Sequence, residues 1–160
     1  MMGSRTSLQG NIYHLNEADP KDVLELLVSY GITGTDYDVY TVDEYANIPT
    51  DGLNFTEWDM RCGTANEVAS DLVELDVTFM LWEDPAQEWL GELHMHHPTL
   101  GVFAAQCDAD GNALMQDYML KRLMGESVVW ASIVARADRL LGVTYQKKFA
   151  KLVNDEKVST

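Results

Sequence analysis

Apolar and polar residues change their spacing several times along the chain, and each change predicts an element. Residues 8–15 alternate loosely and include Ile12 and Tyr13, as a half-buried strand does. Asp19-Pro20 then sets a capping carboxylate before a proline at the first helical position. Val23, Leu26, Leu27 and Tyr30 recur at helical spacing, and Gly31 stops the run. Tyr37, Val39 and Thr41 alternate with Asp38, Tyr40 and Val42, which predicts a strand over 37–42. Pro49 and Asp51-Gly52 mark a turn. The pattern then repeats. A strand over 53–60 carries Phe55 and Trp58, and Thr64 opens a helix with Glu67 at the capping-box position. A strand over 77–82 ends at Asp84-Pro85. The two passes align at an offset of 45, with Leu8 on Leu53, Tyr13 on Trp58, Val23 on Val68 and Leu27 on Leu72.

Two further strands, 88–96 and 100–107, are separated by Pro98-Thr99 and followed by a turn over 108–112. Short strands joined by tight turns pair antiparallel. After Ala113 the spacing becomes helical, over 115–124, 126–141 and 145–153, with Gly125 and Gly142 as stops and Thr144 as a cap. The fold class expected is α+β: a tandem β-α-β, ferredoxin-like core with a mainly antiparallel sheet, an added hairpin and C-terminal helices. Residues 7–114 form the acidic α+β domain and 115–153 the helical segment, with 1–6 and 154–160 expected as flexible termini. Strand order stays open, as does whether the helices pack on the sheet or on another chain.

Charge sharpens this outline. The net charge of the 160 residues is −15. Residues 1–117 hold 22 acids against three bases, giving −19, and residues 118–160 hold four acids against eight bases, giving +4. Such a field opposes nucleic acid and anionic membranes and favours cationic partners. The expectation is a cytoplasmic protein with no direct nucleic-acid contact, no membrane span and no cofactor. Cys62 and Cys107 are expected as reduced, buried thiols. The amphipathic stretch 126–141 offers a surface for a possible homodimer.

Candidate chemistry is sparse. No Gly-rich phosphate loop and no Gly-x-Ser-x-Gly elbow occurs. Asp108-x-Asp110-Gly111 lacks the spacing of a calcium loop and reads as a turn. On a strand, Glu92, His94 and His96 share one face and His97 the other. That trio is the alternative reading, a metal-binding protein or metal-dependent enzyme; exposed histidines on a solvent face are the simpler expectation.

Acid pairs recur at strands and strand ends: Asp36/Asp38, Asp43/Glu44, Glu57/Asp59, Glu83/Asp84 and Asp108/Asp110. Carboxylates two residues apart on one strand face are spaced by roughly 6–7 Å, comparable to backbone phosphates. The acidic helix followed by the Asp36-Tyr37-Asp38-Val39-Tyr40-Thr41-Val42-Asp43-Glu44-Tyr45 cluster resembles the repeating units of ArdA-type antirestriction proteins, acidic DNA mimics that inhibit type I restriction-modification enzymes. The basic helical tail has no counterpart there. The resemblance implies a non-enzymatic inhibitor that binds the basic nucleic-acid site of a defence enzyme, with Asp36, Asp38, Asp43, Glu44, Glu83, Asp84, Glu88 and Glu92 as the expected contacts.

Overall fold

A computed structural model describes residues 4–34, 39–86, 88–126 and 129–158. Six strands, β1 (Arg5–His14), β2 (Leu53–Arg61), β3 (Thr78–Glu83), β4 (Gly91–His97), β5 (Gly101–Cys107) and β6 (Ala113–Leu114), form one sheet. Its order is β2-β1-β3-β4-β5-β6, and every neighbouring pair is antiparallel. The α+β class with an antiparallel sheet and C-terminal helices is therefore as expected. Because β1 opposes both β2 and β3, those two run parallel with β1 inserted between them. The connection through α3 (Thr64–Glu74) is thus a split β-α-β unit. The first pass differs. Between β1 and β2 the chain forms α1 (Pro20–Ser29) and then a second short helix, α2 (Val42–Ala46), and returns antiparallel.

That second helix corrects the strand expected over 37–42. Tyr37 and Asp38 lie outside the described residues, and Val42 opens α2. Thr41 and Glu44 make a reciprocal capping box: the Glu44 N–H donates to Thr41 Oγ1 at 3.2 Å, and the Thr41 N–H donates to Glu44 Oε2 at 2.6 Å. These caps satisfy helix donors that a strand would have spent on a ladder. α1 follows its local signals, since Asp19 accepts from the Lys21 N–H, Pro20 is the first residue and Gly31 sits at φ 74°.

Each sheet face has its own core. Leu8, Ile12, Phe55, Phe79 and Leu81 point toward α1 and α3, which return Val23, Leu27, Val68 and Leu72. The aligned helix positions of the two passes are thus matched in burial. On the opposite face, Leu93, Met95 and Cys107 meet Phe149 and Val153 of α6 (Val143–Val158). The basic tail is consequently part of the fold. Tyr145 donates its hydroxyl to the Gly101 carbonyl at 2.6 Å and stacks on Phe103 at 5.3 Å. β1 already begins at Arg5, with Thr6 buried, and α6 runs on to Val158, so both termini are structured further out than 7 and 153. The remaining helices, α4 (Asp117–Glu126) and α5 (Trp130–Leu141), contact mainly each other and α6.

Candidate anionic interface

Strand register sorts the acids by position. Leu8 lies between Glu57 and Glu83, and Ile12 between Leu53 and Phe79. One end of the sheet therefore carries Glu83, Gly91 and Cys107, and the other carries His14, Thr78 and His97. α2 borders a cleft with Tyr13, His14 and Leu15, so Asp43 and Glu44 sit at the His14 end. Asp84 and Glu92 sit at the opposite end, where Glu83 is five residues of strand, about 16 Å, from Thr78. Asp36 and Asp38 lie outside the described residues. The described contacts expected from sequence are thus two groups, not one row.

Glu83 is a correction. It is 2% exposed and cannot meet a partner. Its carboxylate turns inward and accepts from the Gly63 N–H at 3.1 Å and the Ala65 N–H at 2.9 Å. It caps α3 from another strand. The Thr64/Glu67 box is not formed: the N-cap is Gly63 at φ 93°, Thr64 donates its hydroxyl to the Arg61 carbonyl, and Glu67 pairs with Arg61 at 2.8 Å. The first-turn donors have a buried anion aligned with the helix dipole, which is stronger than a local hydroxyl.

At the Glu83 end two loops converge. The first, 84–90, carries Asp84, Glu88, Trp89 and Leu90. Asp84 is braced by β1: its N–H donates to the Ser7 carbonyl at 3.0 Å, its carbonyl accepts from Thr6 Oγ1 at 2.6 Å, and its carboxylate accepts from Gln9 Nε2 at 3.1 Å. Burial pushes the Asp84 carboxyl above its usual range against the Gln9 bond, and Asp110 adds to the rise. The second loop is the predicted turn, 108–112. Asp108 Oδ1 accepts from the Asp110 and Asn112 N–H groups, both at 2.9 Å, which holds its carboxyl below the usual range. Trp82 clamps the turn, donating Nε1–H to the Ala109 carbonyl at 3.1 Å. Beneath lies Cys107, whose thiol is pushed up to about 12 by burial, with Asp108, Asp84 and Glu92 adding to the effect.

Asp84, Glu88, Asp108 and Asp110 form no ion pair with lysine or arginine among the described residues. Trp89 and Leu90, next to Glu88 in sequence, stand about half exposed. The end of the sheet thus presents fixed anions and an apolar anchor, the composition of a protein-binding patch.

The histidines are where the strand period puts them, but they are not solvent-exposed. His94 Nε2 lies 3.3 Å from Glu92 Oε2, and His94 borders a shallow groove between α3 and β4–β5. His96 turns away: its Nδ1–H donates to the Val77 carbonyl at 2.8 Å, beside Phe79. His97, on the other face, accepts from the Thr99 N–H at Nδ1 and so donates from Nε2 to Glu156 at 2.9 Å. Glu92 and His94 meet, but His96 does not join them. Among the described residues, no group of three His, Cys, Asp or Glu is placed to hold a metal ion. Trp89 and Leu90 were not singled out in the sequence because alternation placed them in a strand over 88–96, whereas β4 begins only at Gly91 and leaves them outside the ladder. Asp108 and Asp110 were visible as a pair, but their convergence on Asp84 depends on strand register.

The fold and site define an α+β protein with one antiparallel sheet, helices on both faces, and an unpaired anionic edge bearing an aromatic anchor. Residues 45–155 match the family described as "Protein of unknown function (DUF3145)", and the chain belongs to that family. Neither the curated proteins nor the solved structures contain a match to it.

Proposed function

We propose that this is a non-catalytic interaction protein whose anionic sheet end engages a cationic protein surface. The observation that carries the reading is the approach of the turn bearing Asp108 and Asp110 to Asp84, which opens the segment that carries Glu88 and the exposed Trp89 and Leu90, with none of the four acids paired to lysine or arginine among the described residues. Rigid, prepositioned charges lower the ordering cost of association and steer encounter. In the specific form that follows from the resemblance to antirestriction proteins, the cationic surface is the basic nucleic-acid site of a defence enzyme. The loop 84–90 and turn 108–112 then stand in for a short stretch of phosphates, and Asp43 and Glu44 lie outside the contact.

The test is the association rate of the full chain with a type I restriction-modification enzyme across a salt series. Steered association falls steeply with ionic strength, so a drop of at least about tenfold between ~0.05 and ~0.5 M salt is expected. A Glu88→Gln/Glu92→Gln/Asp110→Asn variant should bind about tenfold more weakly or worse, while Asp43→Asn should bind as the parent does. A flat salt profile rules out the reading. A low-salt pull-down that yields a different basic protein, released by salt, keeps the interface and replaces the target.

A further inference from the structure

The apolar residues of α5 face two ways. Leu140 turns toward α4, lining a cavity with Met119 and Leu123, while the buried Ile133 lies at the floor of a second groove. A stripe of Trp130, Val134, Ala137 and Leu141 lines this apolar groove with Leu120 and Val143. The groove is open among the described residues, and Trp130 is 69% exposed. The stripe's spacing of four, three and four residues is that of a coiled-coil seam, so the shape it fits is another helix at a shallow angle. A soluble chain rarely leaves such a surface bare.

We infer that the occupant is α5 of a second copy, laid antiparallel across a twofold axis between Val134 and Ala137. In that register Trp130 meets the second copy's Leu141, and Val134 meets its Ala137. Each pair sets a larger side chain against a smaller one, and the same patch serves both subunits, as a twofold interface requires. Charge permits the match. The chain as a whole is strongly acidic, but among the described residues Asp138 is the only charged group lining the groove. That carboxylate is already engaged, accepting from the Thr144 N–H at 2.8 Å and hydroxyl at 2.6 Å. Arg122 and Arg136 both pair with Glu126 in the cavity between α4 and α5 that Leu140 lines. Two copies therefore meet here without opposing like charges. A seam about 18 Å long on a helix about 10 Å wide spans roughly 200 Å², well below the ~800 Å² per partner of a standard interface, so the dimer is weak and concentration-dependent.

Sedimentation equilibrium of the full chain from about 5 to 500 μM tests it. The weight-average mass should rise from 18.0 kDa toward twice that value. Val134→Glu should hold it at the monomer mass while circular dichroism stays unchanged, and the exposed control Val102→Glu should still dimerise. Mixing Val134→Cys with Ala137→Cys chains under oxidation should cross-link unlike chains faster than like ones, since the native Cys62 and Cys107 are buried. A monomer throughout the concentration range overturns the inference, including the case where the groove takes a foreign helix. Cross-links confined to like positions overturn it as well.

Discussion

Glu83 shows what one side chain contributes. Its carboxylate is buried because two helix donors need it, and those donors lie 18 and 20 residues back along the chain. Hydrogen bonds to a charged group are worth more than neutral ones, and orphaned buried donors cost more still. Glu83→Ala should lower unfolding free energy by about 2–4 kcal/mol in urea denaturation, and Glu83→Gln, which keeps one acceptor, by about half as much. An alanine variant as stable as the parent would remove the capping role. Asp84, next in sequence, answers differently. Burial raises its folded-state pKa above the unfolded value. The folded chain then holds the proton more tightly, so stability falls as pH rises from the unfolded pKa through the folded one. The cost is absent below that window and complete above it. Asp84→Asn should stabilise the protein at pH 7 and lose that advantage in acid, as denaturation midpoints between pH 3 and 7 would show.

Elements depend on their junctions. Gly142 ends α5 at φ 66°, and a Cβ there would stand 2.3 Å from the Phe103 ring. Gly142→Ala combines a left-handed backbone penalty with overpacking against β5, and about 2–4 kcal/mol of destabilisation is expected by chemical denaturation. The α5 stop was legible in the sequence because Gly after an apolar helix is a local signal, and so was the start of α1 at Asp19-Pro20. At residues 37–42 the local signals conflicted. Alternation argued for a strand, while Thr41-x-x-Glu44 spelled a capping box. The capping box prevailed, and Tyr45 became buried against the helical face instead of in a ladder. At Thr64 the conflict ran the other way, and a tertiary carboxylate displaced the local box.

For the whole molecule, α6 holds the second face of the sheet. Phe149 packs edge-on to Tyr13 at 5.5 Å and stacks with Tyr145 at 6.2 Å. Phe149→Ala should cost about 3–5 kcal/mol. Truncation after Gly142 should bare Leu93 and Met95 and produce strong binding of a hydrophobic dye. A truncated chain that neither binds dye nor loses stability would mean that α6 is dispensable to the core. The same architecture separates charge: the basic residues of the tail lie on helices around the second face, while Asp84, Asp108 and Asp110 stand at one end of the sheet.

Much of the secondary structure was already settled by the sequence, because alternation, helical spacing, Asp-Pro starts and Gly stops act between residues a few positions apart. So was the sharing of one face by Glu92, His94 and His96, since a strand's period is two whatever surrounds it. Which acids stand together, which one is buried as a cap, and whether the histidines meet water were decided by the tertiary structure. Those outcomes depend on pairing between strands far apart in the chain, where a shift of one residue turns every side chain to the opposite face.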